Sequence, residues 1–227
     1  MSNGLLIAIE GIDGSGKGSQ AKMLKSALTL EGFSVDLFAF PQYETSFFGR
    51  EVGKFLHGDY GQLSDVNPKF SALLFALDRY ESKDRIIESI SLGRVVICDR
   101  YAASNIAHQG ARAMADERGN LSNWIEQVEF NILKLPRPDL VIFLDTTVET
   151  SQELVLRKSP RSYTNQAHDL QERSPDHLQL ALNGFREMAK VGHWKTINCL
   201  DDTNKMRSYL SIHEEILSHV RTVQCGR

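Results

Sequence analysis

Short apolar runs alternate with longer segments of helical periodicity along this chain. "LLIAIE" (Leu5 to Glu10) is a nearly unbroken apolar run and reads as a buried strand. Lys17 to Glu31 reads as a helix, with Leu24, Leu28 and Leu30 assigned to its apolar side and Gly32 as a stop signal. "VDLFAF" (Val35 to Phe40) is a second strand, ended by Pro41. A helix-rich region runs from about Phe47 to Leu92, and "RVVICD" (Arg94 to Asp99) is a third strand. Helical patterns return between Ala102 and Leu135, with a break expected near Gly119. Leu140 to Asp145 follows two helix-ending prolines as a fourth strand, and Val148 to Leu156 is helical. Ser159 to Asp169 is polar, carries Pro160 and Asn165, and reads as a loop. A further helix, a strand at Trp194 to Cys199 and a last helix to about Gln224 complete the pattern.

Strands separated by helices require crossover connections, so the expected architecture is α/β: a five-stranded parallel sheet with helices on both faces. There is no composition break, repeat or low-complexity tract, so a single domain over residues 1–227 is expected.

Composition narrows the function. Of 227 residues, 41% are hydrophobic and 24% charged, which suits a packed core rather than disorder. The net charge of −3 argues against a general nucleic-acid partner, which calls for a basic excess. The N-terminal stretch has no basic n-region and too short an apolar run for a secretory leader, and nothing approaches the ~20 apolar residues of a membrane span. Cys98, Cys199 and Cys225 are few and widely spaced, so reduced thiols in a cytoplasmic protein are expected.

Candidate chemistry starts at "GIDGSGKGSQ" (Gly11 to Gln20). The phosphate-loop pattern is G-x-x-x-x-G-K-[ST], and Gly11, Gly16 and Lys17 match it. A strand precedes the loop and a helix follows, as a backbone cradle for phosphates demands. Gly18, however, stands where the metal-binding hydroxyl belongs. Ser19 cannot replace it, because one residue along a helix turns a side chain by about 100°. Magnesium is then expected to rely on ATP oxygens, water and carboxylates.

The second constellation is "VVICDRYAASNIAHQG", an apolar strand ending in Asp99 and followed at once by Arg100. Parallel strands bring Asp99 to the carboxyl edge that carries the loop, where it can bind magnesium through water or align the acceptor. Arg100 has the fork that suits phosphate. Asp145 ends another strand but is followed by "TTVET", which offers nothing for phosphate, so it is read as a structural acid and helix cap.

Together, "IAIEGIDGSGKGSQ", "FAFPQY", "LLFALDRYE", "VVICDRYAASN" and "LPRPDLVIFLD" resemble the thymidylate kinase family over nearly the whole chain. The resemblance implies a P-loop nucleoside-monophosphate-kinase-like fold, usually a homodimer, that transfers phosphate from ATP to dTMP with Mg2+. Its donor cradle spans Gly11, Ile12, Asp13, Gly14, Ser15, Gly16, Lys17, Gly18 and Ser19. Asp13 and Asp99 are the implied metal-side acids, and Asp13 also lies near the acceptor's 3′-hydroxyl. Phe40 lines the acceptor pocket, Tyr43 lies near its phosphate, Phe75 stacks on the base and Arg79 donates to its O4 edge. Arg100 clamps the monophosphate, while Ser104, Asn105, and His108 or Gln109, line the base and sugar. Read without the resemblance, Phe75 in its apolar helix is favoured as a core residue, and Arg79 can be a surface partner of Asp78 or Glu81.

A lid at about 158–172 is implied as well. Gly14 and Ser15 put no arginine in the phosphate loop, so a lid residue is expected to supply it: Arg157, Lys158 or Arg161, with Arg161 the first choice. Glu172 is placed near the acceptor's sugar, and Gln171 replaces an aromatic often found there. The implied catalytic set is Lys17, Asp99, Arg100 and Arg161. Another small P-loop nucleoside kinase, or a non-catalytic nucleotide switch, are the alternatives.

Overall fold

The structure, a computed structural model, describes residues 4–156 and 174–225. Among them lie five strands, β1 Leu5–Glu10, β2 Val35–Ala39, β3 Val95–Asp99, β4 Leu140–Asp145 and β5 Trp194–Asn198. All pair in parallel, in the order β2-β3-β1-β4-β5. Nine helices connect and flank them: α1 Lys17–Leu30, α2 Phe47–His57, α3 Pro68–Glu81, α4 Lys83–Ser91, α5 Ala102–Gly110, α6 Arg118–Glu126, α7 Val148–Leu156, α8 Pro175–Met188 and α9 Tyr209–Cys225. A π-helical turn, Gln127–Ile132, extends α6. The lid expected at 158–172, with Arg157, Lys158, Arg161, Gln171 and Glu172, lies outside the described residues. No helix among the described residues is long and apolar enough to cross a membrane.

The two-residue alternation of the strands builds two cores. Leu5, Ile7, Ile9, Val95, Ile97, Ile142 and Leu144 pack against α1 and α9 on one face. Leu6, Ala8, Val96, Cys98, Val141 and Phe143 face the other way, against α5 and α8. On that second face Phe143 and Phe185 stack with ring centroids 5.6 Å apart. Both faces are covered, which is why the strands read as continuous apolar runs.

Several expectations are corrected. Leu30 is 89% exposed; the buried stripe of α1 is Ala21, Leu24 and Leu28, and Leu30 sits two residues, about 200°, beyond Leu28. The break in the 102–135 region falls at 111–117, where Ala113 N–H closes a tight turn on Gly110 O, and Gly119 lies inside α6. Asp145 does not cap α7. Its carboxylate pairs with Arg186 of α8 at 2.9 Å, while Thr147 Oγ1 accepts the Thr150 N–H. The structural reading of Asp145 stands, with an ion pair in place of a cap.

Phe185→Ala removes the ring that joins α8 to β4. It should cost about 3–5 kcal/mol, as deletion of a buried phenyl ring does. Urea unfolding measures this; a loss below ~1 kcal/mol would show that the stacked pair does not bear on the core.

Candidate active site

Parallel pairing aligns Ile9 of β1 with Asp99 of β3, so both chains leave the sheet at one edge. The phosphate loop leaves from β1, and Asp99 and Arg100 from β3. This edge lies where the strand order reverses, the usual ligand crevice of open α/β sheets.

The loop is built by backbone rather than by side chains. Helix α1 begins after Gly16, which is left-handed (φ 93°), with no side-chain cap and no acid in the first turn. Its first N–H groups therefore await an anion, and the helix dipole favours one. The buried Ser15 Oγ in the same loop has no hydrogen-bond partner. Lys17 is buried, and its Nζ donates to Ile12 O at 2.7 Å, drawing the loop into a curl. Gly14 has φ 83°, and the carbonyl oxygen of Ser151 stands where a Cβ would go. Ser151 Oγ also donates to Asp13 O, so α7 grips the loop where Gly14 has no side chain to obstruct it.

Gly18 is explained by its neighbour. A Cβ there would stand 2.9 Å from Asp99 Oδ2. The acid thus occupies the place beside the loop that a serine or threonine side chain would claim. A carboxylate beside a cradle of N–H groups suits Mg2+, a hard cation that takes phosphate oxygens and water as its remaining ligands. No group of three or more potential His, Cys, Asp or Glu ligands converges among the described residues. Ser19 is exposed on α1.

Arg100 adopts φ 67°, a left-handed conformation that costs a side-chain-bearing residue about 1–2 kcal/mol. The turn sends its guanidinium back across the loop. It donates to Ser104 Oγ at 2.9 Å and Gly11 O at 3.4 Å, and forms an ion pair with Asp13. Burial would lower the Arg100 pKa, but the carboxylates of Asp13, Asp99 and Glu10 raise it further.

Glu10 was not singled out from the sequence. It continues the row Leu6–Ala8–Glu10 onto the α5 face and is fully buried. Its carboxylate accepts Tyr101 N–H at 2.8 Å, Ser104 N–H at 3.3 Å and Ser104 Oγ–H at 2.6 Å. A residue from β1 thus caps α5 and fixes the helix that carries Ser104, Asn105, His108 and Gln109. Burial pushes the Glu10 carboxyl up to about 7, against the opposing pull of Ser104, Arg100, Tyr101 and Lys17.

A cleft opens beside this helix. Asp13, Phe40, Tyr43, Phe75, Arg79, Arg100, Ser104 and Asn105, every acceptor-side candidate within the described residues, line it together. Pro41, Leu56, His108 and Gln109 complete the wall. Phe75 lies between core and cleft, with one edge contact to Phe55 at 6.3 Å. Asp78 holds the β2–α2 loop instead of Arg79, accepting Gln42 N–H at 3.1 Å and Ser46 Oγ–H at 2.5 Å.

Arg79 is not a surface residue. Ala72, Ala76 and Arg79 form a buried stripe on α3, and Arg79 pairs with neither Asp78 nor Glu81. Its partner is Glu129, which accepts from Nε at 3.0 Å and from Nη2. Burial would lower the Arg79 pKa, and the Glu129 carboxylate more than offsets it. Glu129 also escaped the sequence reading, although it continues the buried stripe Leu121–Ile125–Glu129, where an acid is out of place.

Three buried polar atoms in the cleft-lining residues have no partner: Asn105 Oδ1, His108 Nε2 and Gln109 Nε2. His108 stacks on His177 at 5.6 Å, and burial holds both well below the usual histidine range. Buried polar groups are nearly always satisfied, and these three orphaned atoms all belong to side chains that line one cleft.

A phosphate cradle and a cleft for a flat polar ring share one sheet edge, bridged by Asp13 and Arg100; this is the plan of a P-loop kinase acting on small nucleotides. The comparisons agree. The thymidylate kinase family model matches residues 9–210, and the chain belongs to that family. The thymidylate kinase of Mycobacterium tuberculosis (strain H37Rv) is 33% identical over 91% of this chain and 97% of its own. The human thymidylate kinase is 33% identical over 94% of this chain and 88% of its own, and a probable thymidylate kinase of Pyrococcus abyssi is 34% identical over 96% of each. The solved thymidylate kinase of Candida albicans shares the fold at a TM-score of 0.76 with 22% identity, covering 99% of this chain and 94% of its own.

Restoring the consensus hydroxyl with Gly18→Ser should harm this enzyme. The new Cβ meets the mobile end of Asp99, so the acid turns aside while the fold persists. We expect kcat to fall by about tenfold, ~1.4 kcal/mol of barrier, with an unchanged melting temperature; an equal or higher kcat would refute the account of Gly18.

Glu10 predicts a pH effect. Its folded pKa exceeds the ordinary value of 4.5, so the native state binds the proton more tightly. Its contribution to stability is present at low pH and declines as pH rises from about 4.5 to about 7. Glu10→Gln should remove that decline. Urea midpoints of the two proteins at about pH 5 and pH 8 test it, and a constant difference between them would contradict the assignment.

Proposed function

We propose that this protein transfers the γ-phosphoryl group of ATP to dTMP, giving dTDP and ADP. One observation carries the choice of acceptor. Asn105 Nδ2 donates to Ala72 O at 3.0 Å and Glu129 Oε1 at 2.9 Å, so Oδ1 is left as the unpaired acceptor. Beside it, Arg79 is a donor only. An acceptor next to a donor matches the N3–H and O4 of thymine. Cytosine presents an acceptor and an amino group in those places, leaving both protein groups opposed.

The sheet edge then divides the labour. The loop from Gly11 to Ser19 and the N-terminus of α1 hold the triphosphate, and Lys17 exchanges its bond to Ile12 O for the β and γ oxygens. Phe75 offers its free ring surface to the base, and Phe40 and Tyr43 close the opposite wall. Arg100, set by Ser104 and Asp13, neutralises the acceptor phosphate. An acceptor phosphate oxygen forms the new bond to the γ-phosphorus as the bond to the β,γ-bridging oxygen breaks, and that electron pair leaves on ADP. The acceptor is already anionic, so no general base is required. Mg2+, when bound, is held through Asp99 with Asp13 nearby and offsets charge on the phosphate oxygens.

The reading takes residues 1–227 as one catalytic domain, with a lid at about 158–172 that brings Arg161 to the transferred group and Glu172 to the sugar. A homodimer is carried over from the family resemblance. The buried free thiols Cys98 and Cys199 support a reducing, cytoplasmic setting.

A coupled ADP-release assay across dTMP, dUMP, dCMP, AMP, GMP and thymidine decides the acceptor. We expect dTMP to lead; comparable turnover of dCMP, AMP or GMP overturns the assignment, and a lead for thymidine makes the enzyme a nucleoside kinase. Arg161→Ala should lower kcat by ~10³ or more, as loss of an arginine finger does. A near-normal kcat would move that role to Arg157 or Lys158.

A further inference from the structure

Glu129 does not line the cleft, yet it touches two groups that do. It is fully buried, on the π-helical turn that extends α6, and lies 50 residues from Arg79 and 24 from Asn105 in the sequence. Oε1 accepts from Arg79 Nη2 and from Asn105 Nδ2 at 2.9 Å; Oε2 accepts from Arg79 Nε at 3.0 Å. We propose that Glu129 is the positioning residue for acceptor choice: one carboxylate fixes both the guanidinium that donates to the O4 edge and the amide that accepts from N3–H. The proposal rests on the dTMP reading of the cleft.

The argument turns on what each group could otherwise do. A carboxamide is nearly symmetric in shape and opposite in chemistry at its two ends. Turned over, Asn105 would show a donor to the cleft and would read the opposite base edge. It cannot turn over here, because both Nδ2 hydrogens are used, and a reversed amide would set its oxygen against Ala72 O and the Glu129 carboxylate. Ala72 O alone biases the amide by one bond. Glu129 adds a second, and a charged acceptor makes the stronger hydrogen bond.

Arg79 is held by the same logic. Its long side chain has many rotamers, but the fork of Nε and Nη2 on one carboxylate defines the guanidinium plane. That leaves both Nη1 hydrogens and the second Nη2 hydrogen unused by Glu129. The neighbouring acid Asp78 accepts instead from Gln42 N–H and Ser46 Oγ–H and holds the loop before α2. Glu129 therefore imposes a donor–acceptor order on two groups that would be ambiguous without it. An acid needed merely to balance Arg79 would not have to reach Asn105 as well.

Glu129→Gln tests this, because it keeps shape while removing the charge and one acceptor. Steady-state constants for dTMP and dCMP, at saturating ATP, are compared with those of the unaltered protein. We expect the dTMP-to-dCMP ratio of kcat/KM to fall by at least ~tenfold, with KM for dTMP raised more than kcat is lowered. KM for ATP, bound at the other cradle, should stay within about twofold. A purely structural role would weaken both acceptors alike, so a ratio within about twofold of the original overturns the proposal even if the melting temperature drops. Should Glu129→Gln not fold, Glu129→Asp, which keeps the charge but shortens its reach, is judged by the same ratio. A parent protein with no preference for dTMP over dCMP overturns the cleft reading and the proposal together; a preference that survives the substitution overturns the proposal alone.

Discussion

Parallel pairing of β1 with β3, Ile9 against Asp99, is the contact from which the site follows. It places the end of a glycine-rich loop and the end of an acidic strand side by side at the switch point of the sheet. Arg100 N–H then bonds to Ile9 O at 3.0 Å, which ties the two exits together. Donor phosphates and acceptor phosphate must meet within bonding distance for transfer, and a hydrogen-bonded pair of strands, buried but for Asp99, holds their cradles at that spacing. Entropy that a flexible site would lose at each turnover is instead lost once, on folding.

The walls of the site are organised by buried carboxylates that do not face solvent. Glu10 caps α5 from β1, Asp78 holds the loop before α2, and Glu129 sets Arg79 and Asn105. Glu10 and Glu129 lie on rows that are otherwise apolar. Desolvating a carboxylate is costly unless hydrogen bonds or an opposite charge compensate, and each of the three has two or more donors. Such groups contribute less to net stability than to a unique arrangement, because moving any one of them leaves several partners unpaired. The acceptor cleft needs that uniqueness: its polar atoms must point one way.

Missing side chains shape the donor side. Gly14 admits the carbonyl of Ser151, so α7 packs directly on the phosphate loop. Gly18 leaves room for the Asp99 carboxylate. The departure from the usual loop pattern is thus a substitution of position: the side-chain oxygen beside the loop comes from the neighbouring strand instead of from the helix.

The periodic features were legible in the chain. Short apolar runs marked the strands, and the helices, the parallel sheet and the pairing of loop with Asp99 all rest on local or repeated signals. Every acceptor-side candidate in the described residues met at one cleft. What the chain could not disclose was which charges meet. Arg79 and Glu129 are 50 residues apart, Asn105 and Glu129 are 24 apart, and Glu10 and Ser104 are 94 apart. From sequence, Arg79 had nearer acids at positions 78 and 81, and one face of α3 decided against both. The orientation of the Asn105 amide, the space beside Gly18 and the true end of α5 at Gly110 have the same origin. Periodicity is a property of a segment, whereas a hydrogen bond between distant side chains exists only once the core has set their approach.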